Sequence, residues 1–488
     1  MRADISGELS PDSARNDFEK RKGIKMKKRT LKTIAAALAM ISILTFTAAG
    51  CGNKTDDSEE FVTNVITQAS DGEAQTDKNG ETSDDGPQAT ETVLDAEGNV
   101  VTDAQGEPVT QPAATTAPIN EGGSDDLFAD MTTNAAPVVD TTVDSSTRYA
   151  YSTLTDNEKA LYDAILSAAS KMSTRIFGAQ NLSSAEWTKV FGMVYNQEPQ
   201  LFWLNGRSVV GRLYYNEIDP EKIASMQKEI DATVDALVKE ANSKSTTFDK
   251  LKVFHDYLVL NSTFEKSDEA GNYNQTIYNA FSGGTSKQGN IQCAGYAKGM
   301  QYLCDKVGID CMVITGTNEK GTSHAWNKVK VEGEWYNLDA TWDDPILSTP
   351  ITNYLRYTFF LVPDEWINEK THFNINTVTL NSGDKVTYYE PPKATATAQN
   401  YFVKNGYVYD NRADADKALK AELEKAASEG TVVAHIMVSS DSLYNEILDA
   451  LKNDSAYRDE LKGVNSKIKK IKDSSKESLR VIQLVIEY

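Results

Sequence analysis

A chain of 488 residues with a formal net charge of −21 and a hydrophobic fraction of 40% has room for two or three domains, but is too polar to fold throughout. The acidity is local: from Gly52 to Ser145 there are 21 Asp/Glu against only Lys54 and Lys78, so the rest is close to neutral and offers no basic stripe for a nucleic-acid backbone. The four cysteines, Cys51, Cys293, Cys304 and Cys311, form no CxxC pair and no Cys/His ligand spacing, which excludes a disulfide-built scaffold and points to no metal or cofactor.

In chain order, Lys27, Lys28, Arg29 and Lys32 precede an uncharged, mostly apolar run from Thr33 to Gly50 that ends Thr47-Ala48-Ala49-Gly50-Cys51. A positive flank, an apolar stretch and small residues before a Cys read as an export signal closed by a lipobox. Cys51 is then the lipidation site, and residues 1–51 leave the mature chain tethered to the outer face of the cell membrane. Ala48 stands where Leu is commonest in such boxes, and an uncleaved membrane helix is the alternative, because about 18 residues just span a bilayer. Residues 1–25 do not suit a signal, and Met26 is the more natural start. Residues 52–147 follow as an acidic linker, nearly free of aromatics and expected to be disordered, because it cannot bury enough apolar surface to offset its chain entropy. Its tandem octapeptide, Asp95–Thr102 and Asp103–Thr110, is too short and polar for a solenoid.

Order is expected from Arg148. Thr155-Asp156-Asn157-Glu158 and Ser183-Ser184-Ala185-Glu186 are capping boxes, predicting helices to about Arg175 and onward from Ser184. Pro220 opens a third helix to about Ala241, and a fourth covers Phe248 to Leu260. Residues 148–247 therefore read as a helical subdomain, with Pro199–Leu204 as packing. Residues 248–392 form a core in which a helix from Cys293 stops at Gly308, followed by strands over Asp310–Thr315, His324–Val331 and Trp335–Asp339. Residues 396–488 read strand–helix–strand–helix–strand: Tyr401–Tyr409, Asp414–Ala427, Thr431–Val438, Ser442–Lys452 and Arg480–Tyr488. The fold class is α+β, with a small α+β domain at the C-terminus.

Cys293 begins its helix, where unpaired N–H groups and the helix dipole favour a thiolate and offer donors to an oxyanion. Alone, such a Cys is more often a small buried hydrophobe. His324 changes the balance. It opens HAWNKVKVEGEWYNLDATWDDP, a hairpin turning at Glu332-Gly333. That register sets Val331 opposite Glu334 and Trp326 opposite Asp339, so His324 and Asp339 share a face one diagonal step apart. Asp339 then orients the imidazole and frees its other edge for Cys293, the logic of a nucleophile–base–orienter triad. A one-residue slip would separate the pair.

Ile291-Gln292-Cys293-Ala294-Gly295-Tyr296-Ala297, Ser323-His324-Ala325-Trp326-Asn327 and Trp335-Tyr336-Asn337-Leu338-Asp339-Ala340-Thr341-Trp342-Asp343-Asp344-Pro345 together resemble the three-part signature of the bacterial transglutaminase-like superfamily. The resemblance covers roughly Phe248 to His372. It implies Cys293 as nucleophile, His324 as general base and acid, Asp339 as orienting carboxylate, and a papain-related core of a Cys-bearing helix packed on an antiparallel sheet. Ile291-Gln292 departs from the small or apolar residue and Val common before the Cys.

Other residues carry less. Trp326 and Trp342 read as packing rather than substrate contact, and Asp343-Asp344-Pro345 as a turn rather than a metal loop. Cys304 and Cys311 read as buried thiols, with a disulfide as the alternative. His255 and His372 read as structural or exposed, and His435 as lacking a local partner. The expectation is a lipid-anchored, extracytoplasmic thiol enzyme that acts on a peptide, protein or cell-wall peptide through an acyl-enzyme, with hydrolysis favoured. The alternatives are amine transfer by the same triad and a surface-binding module that keeps the fold without turnover.

Overall fold

The computed structural model describes residues 144–265, 273–282, 289–344 and 354–488, and in the first 143 residues only the strand fragments Leu44–Thr45, Thr90–Thr92 and Thr110–Pro112. Cys51, Pro345 and, apart from those fragments, the export signal and the linker up to residue 143 lie outside the described residues.

The continuous described chain opens at Asp144, which caps a turn over Ser145–Thr147. The helical subdomain follows its local signals. Thr155 and Glu158 exchange both arms of the first capping box, opening the helix Asp156–Ser170, and Ser183 and Glu186 do the same for Ser184–Gln197. Asp219 caps Pro220–Asn242, and Thr246 caps Thr247–Asn261. Two expectations are corrected. The first helix stops at Ser170, because Met172 takes a left-handed conformation (φ 55°) and Arg175 bridges to Arg212. The subdomain is also not wholly helical, since Leu204–Val209 and Arg212–Tyr215 form a hairpin. Leu201, Phe202, Trp203 and Leu204 are buried, and each such side chain contributes about 1.5–3 kcal/mol by leaving water.

In the core, the helix Cys293–Lys306 buries Tyr296, Met300 and Leu303 and ends before Gly308, whose φ of 68° suits glycine. It packs on a four-stranded antiparallel sheet in the order Phe360–Val362, Glu334–Leu338, Ser323–Val331, Cys311–Thr317. Glu332 and Gly333 both have positive φ (52° and 88°), so the hairpin closes with a two-residue turn and Val331 pairs with Glu334. Two side chains stitch helix to sheet: Asn327 Nδ2 donates to the Ala297 carbonyl at 2.8 Å, and Gln301 Oε1 accepts from the Val313 N–H at 3.1 Å. Arg148 ties the segment before the first capping box to this helix. It is buried and paired with Glu198 at 3.1 Å and Asp305 at 3.0 Å.

The C-terminal unit has a sheet in the order Val408–Tyr409, Val433–Val438, Val481–Glu487, Lys470–Asp473, with helices Arg412–Glu429, Asp441–Asn453 and Ser455–Lys462. The expected strand Tyr401–Tyr409 is mostly replaced by a helical turn, Tyr401–Lys404, because Asn400 Oδ1 accepts from the N–H groups of Phe402 and Val403. The helix Ser455–Lys462 and the edge strand Lys470–Asp473 were not expected: both are short and mostly exposed, and the helix shows its apolar face through only Tyr457 and Leu461. This unit shares a cluster with the core, in which Trp342, Phe359, Val362 and Ile367 meet Phe402, Met437, Leu479 and Val481. Among the described residues no helix is long and apolar enough to cross a membrane.

Candidate active site

Cys293 is the first residue of its helix. The turn before it is fixed by backbone bonds: the Gln292 N–H donates to the Asn274 carbonyl at 2.8 Å, and the Gln292 carbonyl accepts from Gly295 at 2.8 Å. Gly295 is required by this approach, since a Cβ there would lie 2.7 Å from the Asn274 carbonyl oxygen. On one side Cys293 sits in a small apolar cluster with Ala294, Ala297, Val313 and Ala325, with half-buried Phe264 packed against it. On the other it hydrogen-bonds His324.

The hairpin register places His324 and Asp339 on one face, as read from the sequence. Asp339 lies just past its strand, held by its N–H to the Phe359 carbonyl at 3.1 Å, and caps the short helix Ala340–Asp343 by accepting from the Trp342 N–H at 3.0 Å. Its Oδ2 is 2.6 Å from His324 Nε2. With Nε2 engaged, Nδ1 is the ring nitrogen that faces Cys293. Burial disfavours charge on His324, yet the adjacent Asp339 carboxylate, with Cys293, overrides it and pushes the imidazole up to about 10. Burial likewise favours a neutral Asp339, but His324 and then His372 hold that carboxyl well below the usual range. The arrangement suits a thiolate–imidazolium pair steadied by a carboxylate.

Trp326 and Trp342 are buried and stack on His324, at centroid distances of 5.7 and 5.2 Å and interplanar angles of 20° and 25°. The two indoles hold the ring and present π-faces that favour its charged form.

His372 was read as structural or exposed, and the structure corrects the second half of that reading. It is fully buried, and its Nε2 lies 3.1 Å from the same Asp339 Oδ2. No spacing signal would have found it: 33 residues separate the two, and segment pairing alone joins them. Ligand atoms of His324, Asp339 and His372 lie within 4.8 Å of one another, a spacing that would admit a metal ion. The separations of 2.6 and 3.1 Å are hydrogen-bond lengths, so shared protons account for the cluster without one.

The other candidates fall outside this chemistry. Asp343 is not a solvated turn residue: it is fully buried, accepting from the Phe359 N–H at 3.1 Å and lying 3.1 Å from His255 Nε2. His255 is therefore a structural link. Asp344 accepts from the Tyr296 hydroxyl, and burial pushes its carboxyl up to about 7. Cys304 and Cys311 are free thiols in mutual hydrogen-bond contact, with burial pushing the Cys304 thiol up, so the disulfide alternative is not realised. His435 is buried among Tyr357, Tyr401 and Phe402 with Nδ1 unpartnered, as its lack of a local partner suggested.

Residues 235–340, which include Cys293, His324 and Asp339, match the family model described as the transglutaminase-like superfamily. The chain carries a transglutaminase-like superfamily domain. Kyphoscoliosis peptidase from Homo sapiens is 27% identical over 113 residues, 20% of this chain and 17% of that protein, and its counterpart from Mus musculus is 26% identical over the same shares. The match thus spans about one-sixth of these relatives. Among solved structures, a TGase is 18% identical with a TM-score of 0.22, covering 28% of this chain and 36% of its own. The periplasmic domain of TgpA from Pseudomonas aeruginosa is 14% identical with a TM-score of 0.20, covering 27% and 55%. The transglutaminase-like domain accounts for the Cys-bearing helix on its antiparallel sheet. The helices Asp156–Ser170 and Ser184–Gln197, the sheet strand Phe360–Val362 and the C-terminal unit lie beyond the matched residues.

Proposed function

We propose that this chain is a thiol enzyme that cleaves peptide or isopeptide amide bonds through Cys293, with water as the acceptor. The observation that carries the reading is the continuous hydrogen-bonded series Cys293–His324–Asp339. The Cys293 thiolate attacks the amide carbonyl and forms a carbon–sulfur bond. His324 gives its Nδ1 proton to the leaving amine as the carbon–nitrogen bond breaks. The neutral imidazole then takes a proton from water, which attacks the thioester, and the sulfur leaves as thiolate. Asp339 stays ionised throughout and keeps the ring in the orientation that serves both transfers. An amine in place of water would make the same acyl-enzyme a cross-linker. Hydrolysis makes the simpler demand, because water needs no second binding site.

The reading includes export and tethering by a lipid on Cys51, which would set the enzyme to work on peptide or protein in the cell wall. Metabolic labelling with a fatty-acid analogue, lost in Cys51→Ala, tests the anchor. Incubating the full chain with glutamine- and lysine-bearing peptides and analysing products by mass spectrometry tests the chemistry. New termini support hydrolysis, whereas a Gln–Lys cross-link overturns it. Complete burial of Cys293 favours a second reading, a surface-binding module of the same fold. The two differ in whether the cover over the sulfur, Phe264 included, yields to substrate. A thiol that iodoacetamide labels only after denaturation supports the binder, and rapid native labelling that His324→Ala abolishes supports the enzyme.

A further inference from the structure

We propose that His372 is a positioning residue of this site, a neutral imidazole whose Nε2–H donates to Asp339 Oδ2 and thereby competes with His324 for that carboxylate's charge. The inference takes its consequence for acyl transfer from the function proposed above, but its evidence is separate.

The tautomer follows from counting protons. Thr371 Oγ1 lies 2.8 Å from His372 Nδ1 and 3.2 Å from the Ile367 carbonyl. A hydroxyl has one proton to give. If it went to Ile367, Nδ1 would have to carry the ring proton, and a bare Nε2 lone pair would face an ionised carboxylate at 3.1 Å. Two lone pairs opposed in a dry site cost more than any geometry on offer here, so the Thr371 proton goes to Nδ1 and the ring proton to Nε2. The ring is also kept neutral. Burial lowers its affinity for a second proton and the neighbouring His324 charge lowers it further, outweighing Asp339 and the more distant Glu319. The titratable groups that act on it are thus His324, Asp339 and Glu319, and the rings of Trp326, Trp342 and Phe359 lie against it.

The fold takes trouble to place this ring. The His372 N–H donates to the Ile367 carbonyl at 3.0 Å, and Phe373 exchanges two bonds of 2.8 Å with Thr317 at the end of the outer sheet strand. Gly316 permits that contact, since a Cβ there would lie 2.4 Å from the Phe373 carbonyl oxygen. Asp339 therefore receives three donors: His324 and His372 on Oδ2, and the Trp342 N–H on Oδ1. The first is the shortest, at 2.6 Å, and the other two fix the carboxylate plane and draw off charge. Without His372 the carboxylate would press its full charge on His324, and the imidazolium would give up its proton less readily to the leaving amine.

The test is ¹⁵N NMR of the full chain with selectively labelled histidines. The expected result is a His372 signal that reports Nε2–H and a bare Nδ1 from pH 5 to 9. His372→Phe should raise the pH at which His324 loses its proton by about 0.5–1 unit, whereas His372→Gln, whose amide can still donate to Asp339, should lie nearer wild type. An Nδ1-protonated or charged His372 at pH 7 overturns the proposal, as does an equal shift, or none, in the two variants. Should His372→Phe fail to fold, the wild-type tautomer and His372→Gln decide. These measurements read protonation rather than turnover. A chain that titrates as described but cleaves no peptide would sink the proposed function and leave the role of His372 intact.

Discussion

Replacing Asp339 by Asn keeps the side chain's size and removes the charge that faces His324 at 2.6 Å. In the wild-type chain that charge holds the imidazolium to about pH 10 against burial, which acts the other way. In Asp339→Asn burial opposes only the smaller pull of Cys293, so the ring should titrate near its ordinary 6.5. At pH 7.5 the ratio of protonated to neutral His324 then falls from about 300:1 to about 1:10, a change of about 3,000-fold or about 5 kcal/mol. The tautomer suffers too. An amide N–H₂ turned to Nε2 drives the ring proton to Nδ1, where it faces Cys293 and blocks transfer from the thiol. Alkylation of Cys293 by iodoacetamide, followed by peptide mass spectrometry to separate it from Cys304 and Cys311, should slow by about 10³–10⁴-fold at pH 7.5. Stability should follow the same linkage. His324 is raised in the folded state, so its contribution is full below about 6.5 and lost as pH climbs through about 10. Asp339 is depressed, so its contribution is present above 3.8 and lost as pH falls. The wild-type advantage in thermal unfolding should therefore peak between these limits. An Asp339→Asn chain that alkylates within threefold of wild type, with an unchanged pH profile, would refute the reasoning.

Three further outcomes follow from the packing. Cys293→Ala should abolish thiol labelling at this position and peptide turnover while changing stability by no more than about 1 kcal/mol, because alanine suits the small apolar cluster around it; a large drop in Tm would place the Cys in the core rather than the chemistry. Gly316→Ala forces a Cβ to 2.4 Å from the Phe373 carbonyl and 3.0 Å from the Trp326 ring, and should cost about 1–3 kcal/mol in urea unfolding. It should also disturb the His372 signal, and a silent substitution would contradict the tight crossing there. Arg148→Met removes the cation paired with the buried Glu198 and half-buried Asp305 carboxylates and should cost about 3–5 kcal/mol; a chain lacking residues 1–148 should be destabilised likewise, and wild-type stability in either would show that Arg148 contributes nothing to the fold.

Local chemistry made much of this protein legible. The capping boxes at Thr155 and Ser183 and the cap at Asp219 were readable because each bond joins residues two or three apart. The Glu332-Gly333 turn was readable for the same reason, and once it is placed, strand pairing carries the register to His324 and Asp339 without further information. Local signals misled where longer contacts compete. The Tyr401–Tyr409 stretch has strand composition, but Asn400 caps its start as a helical turn. The Leu204–Tyr215 hairpin lies between strong helices, inside a stretch whose local signals read as a helical subdomain.

From the sequence alone came the α+β class, the Cys-bearing helix and the hairpin register that aligns His324 with Asp339, consequences of neighbours within a turn or a strand pair, while the family resemblance supplied Cys293 as their partner. Tertiary structure alone decided that His372 shares Asp339, that Asp343 joins His255, and that Phe264 packs over the apolar side of Cys293. These are contacts across tens of residues between groups with many partners to choose from. Which pairing forms depends on how whole segments fill the space beside the sheet, and that is settled by packing the entire domain rather than by any short run of the chain.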